Sequence, residues 1–349
     1  MIYPDFLKNN DKILVTAPSG GNYKEMDLLR VDRAKETLEN KGFRVEFTEN
    51  VKQNDGRGRS SSKEDRARQL MQGFIDPEVK FIHSAKGGDF LMEVMPLLDW
   101  SAIEANPTWF QGFSDNTFLT YIIATNYHIA TIYGNHFNDY AMEPWHDAVK
   151  NNWSIITGEN IIQKTFDMYE DGFYDKEKVT DGYITDKKSK PILLTDGKTI
   201  CKTEKDYSQS VEMSGRLIGG CMDVLLNICG TRYDRTREYV DSYKQDGFIF
   251  YLESFSLDTD SVARGLWQLD EAGWFEHCKG FIFGRPCMCE AYTDHTYAES
   301  VLTILEEKNA PIILDADIGH KSPQFTIING AKGNIQLNNN TINLSVNLC

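Results

Sequence analysis

The sequence predicts an α/β protein whose first half is built around a mostly parallel β-sheet. Between residues 13 and 133, five short apolar segments alternate with stretches whose apolar residues recur at helical spacing. Several of these segments lead directly into glycine or serine, which is typical of the turn between a buried strand and the next helix. Such alternation favours a parallel sheet covered by helices on both faces.

The elements of this half are predicted in chain order from residue type and spacing. Strands are expected at 13–17, 45–47, 79–84, 109–113 and 129–133. Helices are expected at 26–41, 61–74, 90–98 and 116–126. Gly42 ends the first helix, and Ser61 with Glu64 forms a capping box for the second. Ligands of parallel sheets bind beyond the carboxyl ends of the strands, so a site is expected there.

The pattern changes after residue 160. Residues 161–209 are rich in Asp, Lys, Gly and Tyr and are interpreted as a connection with a long excursion. The chain is therefore divided into an α/β domain at 1–160, this connection, and a second domain at 210–349. In the second domain we expect helices at 217–228 and 261–272, strands at 248–252, 281–283 and 312–314, and a terminal β-hairpin around 338–340.

Composition excludes several classes of function. The 349 residues carry a formal net charge of −15 and no long Lys/Arg block, which argues against binding nucleic-acid polymers or anionic membranes. No apolar run approaches the length of a membrane span. Seven scattered cysteines indicate reduced thiols rather than a disulfide framework, and the N-terminus does not have the pattern of a signal peptide. A cytoplasmic protein is expected.

The sharpest local feature is Gly112-Phe113-Ser114-Asp115, between a predicted strand and a predicted helix. A serine on such a tight turn is lifted clear of the sheet, and the N–H groups at the helix start can stabilise an oxyanion. Taken alone, an ordinary helix N-cap is the more frequent role of such a Ser-Asp pair. Gly87-Gly88 follows another strand; it either lets a backbone N–H approach a ligand or forms a simple turn.

Two residues of the second half are candidates for acid–base chemistry. Glu253 ends the apolar strand at 248–252, where a carboxylate can hold an imidazole in one tautomer. His320 lies in a loop after a strand; His136 is the other histidine directly after a strand. Each residue also fits an ordinary solvated position. A metal-dependent hydrolase using His136, Asp139 and His146 is the weaker alternative, since their spacing matches no metal motif.

Together these motifs resemble the serine LD-carboxypeptidases and the related microcin C self-immunity peptidases, nearly end to end. The elements of the resemblance are Val15-Thr16-Ala17-Pro18-Ser19, Ser84-Ala85-Lys86-Gly87-Gly88-Asp89, Gly112-Phe113-Ser114-Asp115-Asn116-Thr117, Ile132-Tyr133-Gly134, Gly215-Arg216-Leu217-Ile218-Gly219-Gly220, Gly230-Thr231, Leu252-Glu253 and Gly319-His320. The resemblance implies a Ser-Glu-His triad at Ser114, Glu253 and His320, with an oxyanion hole from the N–H groups of Gly88 and Asp115. No cofactor and no metal are implied.

The resemblance also implies the architecture and the class of substrate. It implies an N-terminal flavodoxin-like domain (class I glutamine-amidotransferase-like), a smaller β-rich C-terminal domain, and a homodimer. Cys221 stands where the family commonly has Asn, and Lys86 where the carboxypeptidases commonly have Arg. The excursion at 161–209 is similar to the immunity branch, which grips a nucleotide-like group. The expected substrate contacts are Gly87, Cys221, Tyr169, Phe173 and Tyr174.

Three functions follow as hypotheses. The first is a serine peptidase that cleaves an amide bond beside a small polar end group in a peptidyl- or aminoacyl-nucleotide. The second is a murein tetrapeptide LD-carboxypeptidase that removes a terminal D-amino acid. The third is a non-catalytic binding module on the same fold, which a fluorophosphonate probe would leave unlabelled.

Overall fold

The computed structural model describes residues 1–201, 210–290 and 293–348. The chain divides into two compact units of comparable size. The first unit comprises Met1–Glu159 and Tyr174–Tyr183, and the second comprises Asn160–Phe173 and Ile184–Cys349. The second unit takes in Asn160–Phe173 and begins again at Ile184, so it is larger than the C-terminal domain expected at 210–349.

The first unit is a doubly wound parallel sheet. Its strands are β1 (Lys12–Thr16), β2 (Arg44–Phe47), β3 (Val79–Ser84), β4 (Trp109–Gln111) and β5 (Thr131–Tyr133). They lie side by side in the order β2-β1-β3-β4-β5, all parallel. This is the flavodoxin order, whose ligands bind at the carboxyl ends near the point where the order reverses.

Five helices accompany these strands. They are α1 (Glu25–Asn40), α2 (Lys63–Ile75), α3 (Trp100–Ala105), α4 (Thr117–Tyr127) and α5 (Asp147–Ile156). The helix α4 is buried at every position from Thr117 to Thr125. A helix that is apolar all round belongs in the core, so the turn that precedes α4 is attached to a rigid part of the unit.

Two details differ from the sequence prediction. The helix expected at 90–98 is a pair of short 3-10 turns, Leu91–Glu93 and Met95–Leu97. Pro96 has no N–H to continue an α-helical ladder through this segment. The cap of α2 is Ser62, whose Oγ accepts from the Asp65 N–H at 3.2 Å, rather than Ser61 with Glu64. Residues 60–62 are all serine, so the sequence does not show which of them caps the helix.

The second unit is centred on an eight-stranded mixed sheet in the order β6-β16-β15-β10-β11-β12-β13-β9. Neighbours from β10 to β13 are parallel, and the remaining pairs are antiparallel. The strands of this unit are β6 (Ile162–Lys164), β7 (Met168–Tyr169), β8 (Lys187–Lys188), β9 (Ile192–Asp196), β10 (Val211–Cys221), β11 (Phe248–Glu253), β12 (Cys278–Gly284), β13 (Pro311–Ala316), β14 (Ile327–Asn329), β15 (Lys332–Asn338) and β16 (Thr341–Asn347).

The segment at 161–209 is therefore more than a connection, since it supplies both edge strands, β6 and β9, and the small hairpin of β7 and β8. Part of it, residues 202–209, lies outside the described residues. The helices of the second unit are α6 (Met222–Ile228), α7 (Thr236–Ser242), α8 (Thr259–Glu271) and α9 (Tyr297–Leu305). None of the helices in the described part of the chain is long and apolar enough to cross a membrane.

The helix expected at 217–228 is wrong over its first half. Residues up to Cys221 continue β10, and the helix α6 begins at Met222. From Gly215 to Cys221 every residue of β10 is buried, and β11 pairs with the strand from Arg216 to Cys221. A strand buried on both faces loses its alternation and cannot be distinguished from a buried helix by periodicity.

The terminal hairpin is confirmed. The strands β15 and β16 pair antiparallel, and the turn residues Asn339 and Asn340 have φ of 48° and 61°. A two-residue hairpin turn with both φ positive matches the right-handed twist of the flanking strands and favours Asn. The turn predicted from the local Asn-rich sequence is therefore the one that the structure contains.

Candidate active site

Ser114 lies on a strained turn between β4 and α4. Its φ is +62°, in a 3-10 turn at Ser114–Asn116 that leads directly into α4. A left-handed backbone costs a non-glycine residue about 1 kcal/mol or more and persists only where the surroundings impose it. Gly112 allows the turn to close, since a Cβ there would lie 2.7 Å from the Asn116 Cβ. The strained strand-to-helix turn is the arrangement that presents a nucleophile.

Gly87 lies directly against Ser114. A Cβ added at Gly87 would be 3.1 Å from the Ser114 Oγ and 3.0 Å from its Cβ. The Gly87 carbonyl accepts from the Gly20 N–H at 3.1 Å, which joins the turns after β1 and β3. The absence of a side chain at Gly87 leaves room for a substrate group next to the serine hydroxyl.

The Asp115 carboxylate ties three turns together. It is 3% exposed and accepts from the Ser19 hydroxyl and from the Leu91 N–H, the latter at 2.9 Å. Burial raises the pKa of the Asp115 carboxyl, while these two donors oppose that shift. Residue 88 must be glycine, because a Cβ at this position would lie 2.4 Å from the Ser19 Oγ. The turns after β1, β3 and β4 are thereby held in one arrangement.

Glu253 and His320 meet in the second unit. The His320 Nδ1 lies 2.9 Å from the Glu253 Oε2, although 67 residues separate them in the chain. The Glu253 side chain is fully buried, and that of His320 is 8% exposed. A proton on Nδ1, shared with the carboxylate, places the imidazole lone pair on Nε2, the tautomer that a general base requires.

Glycines make room for this pair. Gly319 has a φ of +90°, and a Cβ there would lie 2.6 Å from the Glu253 Cδ. A Cβ at Gly284 would come within 3.0 Å of the Glu253 Cβ and 2.2 Å of the Ile318 carbonyl oxygen. The Glu253 side chain lies against the Gly319 backbone, and with the positive φ this explains why glycine directly precedes His320.

An aromatic ring packs against His320. The centroid of Phe255 lies 4.5 Å from that of the His320 ring, at 40°. The loop that carries Phe255 is held by Asp223, which accepts from the Phe255 N–H and the Ser256 N–H, both at 2.9 Å. The sequence analysis did not single out Phe255 or Asp223, because neither belongs to a local motif.

A buried ion pair holds the loop before His320. The Asp317 carboxylate is fully buried, pairs with the Arg285 guanidinium and accepts from the Phe166 N–H at 3.1 Å. Burial raises the pKa of the Asp317 carboxyl, and Arg285 opposes that shift. Arg285 also lies over the Tyr169 ring, 4.0 Å from its centroid. The excursion and the His320 loop are thus connected through Arg285, which sequence reasoning missed.

The expected substrate contacts fall into different environments. Cys221 is 2% exposed and is the register partner of Glu253, and burial raises the pKa of its thiol well above the usual value. This burial leaves the Cys221 thiol little surface with which to contact a substrate. Tyr169 is half-buried beneath Arg285, whereas Phe173 and Tyr174 are 62% and 39% exposed. These last two remain able to meet a ligand.

The histidines of the metal alternative have structural partners of other kinds. His146 caps α5, its Nδ1 accepting from the Ala148 N–H at 3.1 Å, and its ring packs on Tyr183. Across residues 1–201, 210–290 and 293–348, no group of three His, Cys, Asp or Glu side chains is placed to hold a metal ion.

Two protein-family models match the chain. The LD-carboxypeptidase N-terminal domain matches residues 13–134, and the LD-carboxypeptidase C-terminal domain matches residues 214–335. The chain is 27% identical over 320 residues to the microcin C7 self-immunity protein MccF of Escherichia coli, covering 90% of this chain and 88% of that protein. It is 24% identical over 333 residues to a probable murein peptide carboxypeptidase of Bacillus subtilis (strain 168), covering 94% and 90%.

Solved structures share the fold over nearly the whole chain. An MccF-like protein from Bacillus anthracis str. Ames has a TM-score of 0.79 at 25% identity and covers 99% of both chains. MccF in complex with aspartyl sulfamoyl adenosine has a TM-score of 0.78 at 21% identity and covers 99% of this chain and 98% of that one. Both domains of this chain therefore have counterparts in one known architecture.

Proposed function

Because the chain belongs to the LD-carboxypeptidase family of peptidases, we propose that it is a serine hydrolase with a Ser-Glu-His triad. In this proposal Ser114 is the nucleophile, His320 is the general base and Glu253 orients the base. The N–H groups of Gly88 and Asp115 form the oxyanion hole. No metal or cofactor takes part in the reaction as proposed.

The observation that carries the proposal is the buried hydrogen bond between Glu253 and His320. Burying a carboxylate is costly unless the carboxylate has a partner. The Glu253 carboxylate is fully buried, and its partner is the His320 Nδ1, 2.9 Å away. Such a pair fixes the tautomer of the base and stabilises the imidazolium that forms during acyl transfer.

The conformation of Ser114 supports the role of nucleophile. Its positive φ resembles the strained elbow on which other hydrolases present a serine. Among the described residues, neither the Gly88 N–H nor the Asp115 N–H donates to a backbone carbonyl outside the regular helices and strands. Both amides belong to turns that the Asp115 carboxylate holds beside the serine, as an oxyanion hole requires.

The proposed chemistry proceeds in two steps. The Ser114 Oγ attacks the carbonyl carbon of the scissile amide while His320 takes the hydroxyl proton. His320 then returns that proton to the leaving nitrogen, the C–N bond breaks, and an acyl-enzyme remains on Ser114. Water, deprotonated by His320, attacks the acyl-enzyme, and release of the acid restores the serine hydroxyl.

For the substrate, we favour a peptidyl- or aminoacyl-nucleotide. The similarity to MccF, and the complex of MccF with aspartyl sulfamoyl adenosine, support this choice. Phe173 and Tyr174, exposed in the excursion, offer aromatic faces for stacking. The alternative is a murein tetrapeptide, supported by the similarity to a probable murein peptide carboxypeptidase.

A cytoplasmic homodimer is also part of the proposal, and sedimentation equilibrium would test the dimer.

The triad is tested by labelling and by kinetics. A fluorophosphonate probe should label the wild type and ignore Ser114→Ala, and turnover should fall on the order of a million-fold because the nucleophile is lost. His320→Ala should cost about as much, and the double variant little more than either single one, since the residues act as one unit. Ser101→Ala, at an exposed position of α3, is the control and should behave as wild type.

If Ser114→Ala keeps a tenth of the activity, the proposed triad is wrong. An unlabelled wild type that hydrolyses neither substrate would instead support a non-catalytic binding module. Additive losses in the double variant would show that Ser114 and His320 act independently.

The choice of substrate is tested by removing the two exposed rings. Phe173→Ser with Tyr174→Ser should lower kcat/KM for an aminoacyl-nucleotide by about ten- to a hundredfold, because each aromatic stack contributes roughly 1–3 kcal/mol. Cleavage of a murein tetrapeptide should barely change, since a D-amino acid offers no ring to stack. Equal losses on both substrates, with the fold intact by circular dichroism, would favour the carboxypeptidase.

A further inference from the structure

His136 lies beside the proposed nucleophile, although the triad does not use it. It follows β5, the strand next to β4, and its ring packs on Phe113 with centroids 4.1 Å apart. The point that a Gly87 Cβ would occupy lies 3.7 Å from the His136 Cε1 and 3.1 Å from the Ser114 Oγ. The imidazole and the serine hydroxyl therefore flank the same bare face of Gly87.

The backbone at His136 is held by a buried network. The Gln111 side chain, three residues before Ser114, donates to the Asn135 carbonyl at 3.0 Å. The Asn135 side chain in turn donates to the His136 carbonyl at 3.0 Å, which also accepts from the Asp139 N–H at 3.1 Å. Gln111 and Asn135 are 0% and 3% exposed. The ring of His136 thus has a defined position, which a binding residue requires.

Both candidate substrates carry a negative charge next to the scissile amide. In a murein tetrapeptide it is the carboxylate of the terminal D-amino acid, and in an aminoacyl-nucleotide it is the phosphoryl or sulfamoyl group on the leaving nitrogen. A group held over Gly87 while Ser114 attacks would lie next to His136. An imidazole N–H donates a hydrogen bond in either protonation state.

Lys86, the cationic residue directly before Gly87 in the chain, has a partner of its own. The Lys86 Nζ lies 3.3 Å from the Asp27 carboxylate, and 40% of the side chain is exposed. Its charge is therefore compensated within the first unit. His136 is better placed than Lys86 to meet an anion over Gly87.

We propose that His136 is a substrate-binding residue, which donates a hydrogen bond to the anionic group adjoining the scissile amide. The inference rests on the proposed function and adds one substrate feature, a negative charge next to the scissile amide. Through His136, the site would prefer anionic leaving groups to neutral ones. The catalytic steps at Ser114 remain those described above.

The test uses matched pairs of anionic and neutral substrates. One pair is a murein tetrapeptide with a free C-terminal carboxylate and the same peptide as its carboxamide. The other is an aspartyl phosphoramidate of adenosine and N-aspartyl-5′-amino-5′-deoxyadenosine, which has no charge on the linker. The kcat/KM ratio within each pair measures the preference for the anion, and fluorophosphonate labelling reports the reactivity of Ser114.

Three variants separate binding from packing. His136→Phe keeps a ring against Phe113 and removes the N–H donors. His136→Gln keeps a donor and removes the ring, and His136→Ala removes both. A charge-assisted hydrogen bond predicts an anionic preference of about ten- to a hundredfold in the wild type. The preference should nearly vanish in His136→Phe and His136→Ala and partly return in His136→Gln, with labelling of Ser114 retained.

The outcomes distinguish this inference from the proposed function. If the wild type turns over a pair without preferring the anion, or if His136→Phe keeps the preference, His136 does not bind the anion. Equal losses on both members of a pair would show a role in packing only. If the wild type is unlabelled and cleaves none of the four compounds, the proposed function itself is wrong and this inference falls with it.

Discussion

At the scale of single residues, buried carboxylates hold the loops of the candidate site. Asp115 joins the turns after β1, β3 and β4, Glu253 binds His320, and Asp317 binds Arg285 and the backbone of Phe166. All three side chains are at most 3% exposed. Buried carboxylates that lose a partner are strongly destabilising, so each of these groups imposes one loop conformation.

Glu253→Gln tests the role of one carboxylate separately from its volume. Glutamine keeps the size of the side chain but cannot stabilise an imidazolium, so kcat should fall by about a hundred- to ten-thousandfold with KM little changed. Steady-state kinetics measures both constants, and circular dichroism verifies the fold. Glu238→Gln, an exposed change on α7, serves as control. A kcat for Glu253→Gln within tenfold of wild type would contradict the assigned role.

At the scale of elements, the centre of the second sheet depends on glycine. The strand β10 runs beside β11, and a Cβ at Gly219 would lie 1.7 Å from the Tyr251 carbonyl oxygen. That oxygen belongs to the backbone of a buried strand and cannot move aside cheaply. Glu253 ends β11, so the close approach of β10 also helps to define where the proposed orienting carboxylate lies.

Gly219→Ala should therefore destabilise the protein by about 3 kcal/mol or more, as overpacking against rigid backbone does. Equilibrium urea unfolding measures the change in the free energy of unfolding. Gly182→Ala is the matched control, because its Cβ would meet only the Met142 sulfur, at 4.0 Å. If Gly219→Ala stays within 1 kcal/mol of that control, the sheet tolerates a side chain at this position and the argument fails.

At the scale of the whole molecule, we expect stability in acid to depend on a buried histidine. His83, on β3, is 1% exposed; its Nδ1 contacts the Ser84 carbonyl at 2.9 Å and its Nε2 the Gln111 amide nitrogen at 3.0 Å. Burial lowers the pKa of His83 to about 4. The fold therefore holds His83 neutral, whereas the unfolded chain protonates it near pH 6.5.

The resulting pH dependence has a definite sign. Because the folded pKa lies below the unfolded one, stability is fully present above about pH 6.5 and is lost as the pH falls toward 4. Between pH 7 and 4.5 the loss from this group is about 2 to 3 kcal/mol. Urea unfolding at both pH values measures how much the free energy of unfolding falls between pH 7 and 4.5. We expect this fall to be smaller in His83→Asn than in the wild type, by about that amount, and unchanged in the exposed control His277→Gln. Equal pH effects in all three proteins would exclude His83 as the cause.

Local features of the fold were predictable from the sequence. The five parallel strands of the first unit, the turn that carries Ser114 and the terminal hairpin with its Asn-rich turn all arise from patterns a few residues long. Their causes are local: apolar segments, glycine at tight turns and Asn at positive φ. The family resemblance supplied the residues of the triad, which stays a prediction until activity is measured.

Only the tertiary structure decided the features that depend on distant partners. It made residues up to Cys221 a strand, because β11 pairs with them, and it formed the edge strands β6 and β9 from a segment interpreted as a connection. It also brought Glu253 to His320 and Arg285 to Asp317. A periodic pattern reports which side of an element is apolar, but not which residue of another element faces it. That choice is made by sheet order and register, since hydrogen bonds and ion pairs between distant residues form only after the strands have paired.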